Sequence, residues 1–153
     1  MRNLLRLLWL ALRAPRPGKI RVMKAVEGDG LLPRKYTALT FFGYILTHTQ
    51  EVADSINARP NTILNHEMIH LRQAQSVRNS WICFYLLYIW FYVRALPQNW
   101  HMHNAAYCLN PFEMEAYDHE ADKNYLERCA KGANGWRKYA RMTPKERLAL
   151  SKS

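Results

Sequence analysis

Apolar residues recur at Leu4, Leu5, Leu8, Trp9 and Leu12, the spacing of one face of an α-helix. The pattern predicts an amphipathic N-terminal helix within residues 1–17 that either lies on a membrane surface or packs on a core. APRPG, residues 14–18, breaks it. The period then changes. KIRVMKAV, 19–26, reads as a short strand, EGDG, 27–30, as a turn, and Pro33 opens the next segment. YTALTFFGYILT, 36–47, is rich in β-branched and aromatic residues and predicts one strand or a tight hairpin at Gly43. A polar stretch ends at RPN, 59–61. Asn61 or Thr62 then caps a helix running to about residue 79, with Ile63, Met68, Leu71 and Ala74 on a partly apolar face.

Residues 81–93, WICFYLLYIWFYV, form an unbroken apolar and aromatic run. A bilayer span needs about 20 such residues, so the run predicts a central core helix in preference to an interfacial one, although its Tyr and Trp content suits both. Pro97 stops it. A short helix or loop follows over 99–109, then a helix over 110–131. The tail, 132–153, is basic and holds one last helix, with Thr143 as cap, Pro144 at the first position and Glu146 completing a capping box. The expected fold is α+β: a small N-terminal sheet from residues 19–47 packed on a helical core, all within a single domain, 1–153.

The chain of 153 residues, 49% apolar, is long enough for one domain with a core. Its formal net charge is +10, and the charge is uneven. Residues 1–24 hold seven Arg and Lys and no acid; residues 123–153 hold nine against Glu127 and Glu146; the middle is net acidic. Basic ends suit an anionic membrane surface as partner, or they are solvated charge that keeps the chain soluble. Nucleic acid is not the expected partner. Cys83, Cys108 and Cys129 lack the spacing of a disulfide framework and read as reduced and mostly buried. Arg6 and Arg13 interrupt the leading apolar run, and no small-residue cleavage site follows. The expected location is cytoplasmic, peripheral at the inner membrane face.

Chemistry enters at NTILNHEMIHLRQ, residues 61–73. Residues four apart on a helix lie on one face, so His66 and His70 can direct two imidazole nitrogens at one ion, the expected cofactor being Zn2+. Glu67 lies at the edge of that face, placed to take a proton from water as general base. This is the chemistry of H-E-x-x-H. A third ligand is needed. NPFEMEAYDHEAD offers several. With Asn110 as cap and Pro111 at the first helical position, Glu113 falls where it reaches back to the cap, a structural task. Glu115 has no such task and is the expected third ligand, with Asp118 or His119 behind it orienting a ligand. Glu113 and His119 are the alternatives. His101 and His103 offer another, lesser metal pair, and Tyr107 and Tyr117 are candidates for polarising an oxyanion.

HEMIH followed by a separate helix carrying EMEAYDHE resembles a gluzincin metallopeptidase, in which the third zinc ligand is a Glu on a second helix, followed by Ala and then an acid. Glu115-Ala116 matches that pair, with Asp118 near the supporting acid. Residues 36–122 also resemble small zincin-like proteins of bacteria and the protease domain of antibiotic-sensing membrane regulators of the BlaR/MecR type. The resemblance implies a zinc-dependent peptidase acting on a peptide or protein substrate. It implies a strand, 36–47, that borders the cleft and pairs with extended peptide. The alternative is a zincin-like metal-binding or regulatory protein with little turnover.

Overall fold

The computed structural model describes residues 2–28, 32, 36–58 and 61–152. Among these the order is α1 (Arg2–Arg13), a 3-10 turn (Pro17–Lys19), β1 (Lys24–Glu27), β2 (Ala38–Phe41), β3 (Tyr44–Thr47), α2 (Gln50–Ala58), α3 (Thr62–Ser76), α4 (Trp81–Ala95), a second 3-10 turn (Leu96–Trp100), α5 (Ala105–Cys108), α6 (Pro111–His119), α7 (Tyr125–Arg128), α8 (Trp136–Ala140) and α9 (Pro144–Leu150). The architecture is α+β, as expected. Parts of the expected turn at 27–30 and of the polar stretch ending at 61, and the start at Pro33, lie outside the described residues.

The sheet has the order β1-β3-β2. β2 and β3 form an antiparallel hairpin, pairing Leu39 with Leu46 and Phe41 with Tyr44, while β1 runs parallel to β3. The expected bend at Gly43 is a two-residue turn in which Phe42 and Gly43 both have positive φ, 45° and 91°. Such a turn matches the twist of the strands it joins. A Cβ on Gly43 would sit 2.4 Å from Ile20 Cδ1, a second reason for glycine there. The β1 edge is covered: Asn57 of α2 accepts from Ala25 N and donates to Ala25 O, both at 2.9 Å. β2 is therefore the edge that faces the helices of the site.

α3 begins where expected, Asn61 Oδ1 accepting from Leu64 N at 2.7 Å. It is buried on nearly every side from His66 to Ala74, so it is the central helix. Met68, Leu71 and Ala74 join a core with Trp81, Phe84 and Phe91 of α4, Phe112 of α6 and Trp136 of α8. Ile69 points the other way, against Ala116, Tyr125 and Ala133. α3 ends three residues earlier than expected, and Arg78 and Asn79, with φ of 56° and 52°, turn the chain into α4. Phe112 is the hub between helices: fully buried, it packs on Phe84 at 4.9 Å and Trp136 at 4.8 Å and stacks on Tyr88 at 6.2 Å. Burying a Phe side chain stabilises by about 1.5–3 kcal/mol, and here it also pins α6 in one rotation.

Four expectations are corrected. The first strand is shorter than 19–26, because Pro17 starts a 3-10 turn and pairing begins only at Lys24. The helix expected over 110–131 is two, α6 and α7. It breaks because Asn65 Nδ2 donates to Glu120 O at 2.6 Å, with Asp122 O at 3.3 Å, taking carbonyls that would otherwise continue the helix. α2 falls in the stretch read as polar, and α8 is a second helix in a tail expected to hold one. Lastly, α4 is a core helix on one side only. Trp81, Phe84, Phe91 and Ala95 are buried, but Ile82, Leu86, Ile89, Trp90 and Val93 are each more than half exposed.

The tail is not loose. α9 has the expected capping box between Thr143 and Glu146, and Trp136, Tyr139 and Arg147 are buried. The cysteines are free and half-buried. No single helix among the described residues is long and apolar enough to cross a membrane; α3 and the α4 segment together reach that length only across a 107° bend, and α3 is enclosed by protein.

Candidate metal centre

His66 and His70, one turn apart on α3, present their rings on the same side at a centroid distance of 4.9 Å. Opposite them is Glu113 of α6. Its Oε2 lies 3.2 Å from His66 Nε2 and its Oε1 3.3 Å from His70 Nε2. One ligand atom from each residue falls within 4.8 Å of the other two, and all three residues are buried. Two imidazoles and a carboxylate converging at this range could hold a metal ion.

Each histidine is held from behind. His66 Nδ1 is 2.7 Å from Glu120 Oε2, a carboxylate that can only accept, so Nδ1 carries the proton and Nε2 faces Glu113. His70 Nδ1 is 2.7 Å from Gln73 Oε1. The orientation of that amide is settled by its other end: Gln73 Nε2 donates to Phe112 O at 2.9 Å and to Glu115 Oε2 at 2.7 Å, both acceptors. His70 thus also donates from Nδ1 and turns Nε2 to the site. A ring fixed this way is the usual state of a metal-binding histidine.

Glu113 completes the group that could hold an ion, and Glu115, the expected third ligand, lies apart from it. The capping task assigned to Glu113 is not performed by it. Asn110 Oδ1 accepts from Phe112 N at 3.2 Å, and its Nδ2 donates to Tyr88 O at 3.0 Å. Glu113 instead takes Tyr88 Oη–H at 2.7 Å and the two histidines. Glu115, two residues on, points to the opposite side of α6, since each helical residue turns about 100°. It is fully buried and accepts from Tyr125 Oη at 2.6 Å, Gly135 N at 2.5 Å and Gln73 Nε2. Its part is to hold Gln73, which holds His70. A Cβ at Gly135 would lie 2.5 Å from Glu115 Oε1, so glycine is required for that approach.

The two residues expected to orient a ligand do not reach the histidines. Asp118 is exposed and accepts from the Tyr139 hydroxyl. The His119 ring stacks on Tyr125 at 3.9 Å. Their expected task falls to Glu120 and Gln73. His101 and His103 are exposed, outside the group. Both missed residues had a signal in the sequence: Gln73 is one turn after His70, and Glu120 is seven residues, two turns, after Glu113 on the same face. Tyr117, between them on that face, packs edge-on against His66 at 4.8 Å.

Glu67 lies beside the group. Its Oε2 accepts from Thr40 Oγ1 of β2 at 2.5 Å. Glu67, His70 and Glu113 together line one end of a cavity of about 390 Å3 whose other walls are apolar, from Leu39 and Phe41 of β2 to Phe84, Tyr85 and Ile89 of α4. Tyr107 also lines it, and its hydroxyl is 3.4 Å from that of Tyr117. Burial alone would lower the basicity of His70, but the charge of Glu113 and its hydrogen bond, with Glu67 and Gln73 adding, raise its pKa to about 9. Burial would raise Glu113; His70 and His66 hold it well below the usual carboxylate range. Burial, and then the Glu113 charge, push Tyr88 well up, so it stays a hydrogen-bond donor.

Comparison with protein-family models, with curated proteins and with solved structures finds no match to this chain. What defines it is its α+β fold and a buried His-His-Glu group that could bind a metal.

Proposed function

We propose that the protein is a zinc-dependent peptidase. The reading is supported most by one arrangement: His70 and Glu113 of the His66/His70/Glu113 group, with Glu67, line a largely apolar cavity that the edge strand β2 also lines. The donor set suits zinc, which in catalytic sites takes three protein ligands of this kind. One ligand atom from each of the three residues lies within 4.8 Å of the other two, close enough to share one ion. A zinc ion bound here would lower the pKa of water and polarise a carbonyl.

The chain's own residues do the rest. His66 and His70, held by Glu120 and Gln73, and Glu113, held by Tyr88, would bind the ion. Glu67 accepts the proton of the attacking water and returns it to the leaving amine, and Thr40 fixes the carboxylate that does so. The Tyr107 and Tyr117 hydroxyls lie near enough to the group to donate to oxygen as charge develops on it. Extended peptide pairs with β2 at its Ala38 end, because the Tyr85 hydroxyl already serves Thr40 O and Phe42 N, at 3.1 and 3.0 Å.

That use of Tyr85 also favours a second reading. It shortens the edge open to substrate, which suits a metal-binding or regulatory protein with little turnover. A zinc titration paired with a peptide-library digest separates the two. One zinc per chain with cleavage carries the peptidase reading, one zinc without cleavage carries the second, and no zinc ends both.

A further inference from the structure

The apolar residues of α1 point away from the protein. Leu5, Leu8, Trp9 and Leu12 are each more than half exposed, while Leu7, Leu10, Ala11 and Ala14 form the half-buried side. α4 repeats this, with Ile82, Leu86, Ile89 and Val93 on one outward stripe. The two helices adjoin: Ala11 and Ala14, on the inner side of α1, line the same cleft as Trp81 and Ile82, and Trp81 Nε1 donates to Pro15 O at 2.9 Å. Beyond the end of α4, Trp100 is 94% exposed.

Charge identifies what covers this surface. α1 and α4, which carry it, lie within sequence segments 1–26 and 68–112, and neither segment holds an Asp or Glu. Arg13 lies over Trp9 at 4.5 Å and Arg94 over Trp90 at 5.7 Å, with Arg16 and Arg78 in the cleft between the helices. Leucine stripes, tryptophans paired with arginine and an absence of acid are the makeup of an interfacial surface that meets anionic headgroups. We propose that the outer faces of α1 and α4 form one docking surface for an anionic phospholipid bilayer. Ile89 belongs both to this surface and to the wall of the cavity, so docking sets the cavity mouth against the membrane. Taken with the peptidase reading, on which this consequence alone rests, the substrates are polypeptides held at a membrane.

The test is co-sedimentation of the full chain with phosphatidylcholine vesicles, with and without phosphatidylglycerol. Binding is expected to vesicles containing the anionic lipid, and to weaken as salt screens the charge. Leu8→Glu combined with Leu86→Glu lowers the bound fraction about tenfold or more. Arg13→Gln with Arg94→Gln lowers it about fivefold per charge while leaving the aliphatic residues of both stripes in place, and carries the test should the first variant fail to fold. Chelator-treated protein binds as before, which keeps this result separate from that of the metal site. The proposal is overturned by variants that bind like the parent. It is equally overturned by a chain that ignores both vesicles while ultracentrifugation shows self-association lost on Leu86→Glu, since a second copy then covers the surface.

Discussion

Glu113 and Glu115 stand two residues apart on α6, both buried, and do different work. Glu113 faces α3 and meets two imidazole nitrogens and a tyrosine hydroxyl. Glu115 faces α7 and α8 and meets a tyrosine hydroxyl, a backbone amide and the Gln73 amide. One side of the helix presents a carboxylate to partners that a metal ion would share. The other presents a carboxylate whose partners are all structural donors. The difference shows that burial and charge do not mark a ligand; what matters is which neighbours the helix rotation brings to each oxygen.

The comparison breaks most sharply at the metal. Glu113→Gln removes a charged donor between two histidines, and zinc binding should fall by more than the ~10–100-fold that follows loss of a supporting residue, taking activity with it. Glu115→Gln should fall within that range. It still accepts from Tyr125 and Gly135, but its new amide hydrogens face the Gln73 donor and loosen His70. Isothermal titration with zinc on both variants checks the order; the reverse order would return the ligand role to Glu115.

Activity separates a third carboxylate from both. Glu67→Gln keeps a group near Thr40 but cannot accept a proton, so peptide hydrolysis should drop about 100-fold or more while zinc is retained. Loss of zinc in this variant would place Glu67 among the ligands. Smaller again is the effect of Gly135→Ala, whose methyl group would push Glu115 Oε1 out of place. About 1–3 kcal/mol of stability should be lost as buried donors lose their acceptor, measured by denaturant unfolding of the metal-free chain.

The mildest test uses pH. In the metal-free chain His70 has its pKa raised to about 9, above the unfolded value near 6.5. Its contribution to stability is full below pH 6.5 and is lost as pH climbs through 9. Glu113 is lowered, so its contribution is present above its unfolded value and lost as pH falls toward the folded one. Zinc has to displace the His70 proton, so zinc binding strengthens over the interval in which the metal-free chain weakens. The gap in Tm between zinc-loaded and chelated protein should widen from pH 6.5 to 9. A gap that narrows would show that His70 takes no part in binding.

Much of this was legible along the chain. The hairpin at Gly43, the Asn61 cap of α3, the Thr143 box of α9 and the one-face placement of His66 and His70 all depend on contacts within a few residues, where local backbone rules decide. Glu67 beside the two histidines follows from the same helical period. The capping rule, sound in isolation, does not place Glu113, because partners from distant helices compete for its carboxylate. Asn110 spends its amide on Tyr88 O, and Phe112 locks into the aromatic hub, and together these set how α6 is rotated.

Local sequence therefore determined that one helix offers two histidines and a neighbouring carboxylate, and that a second helix offers acids. Tertiary structure alone decided which acid faces them, which residues hold the rings, and that the apolar stripes of α1 and α4 turn outward. A helical period states which residues share a face; only packing against residues far along the chain, through Phe112, Trp136 and Asn65, selects the direction in which that face points.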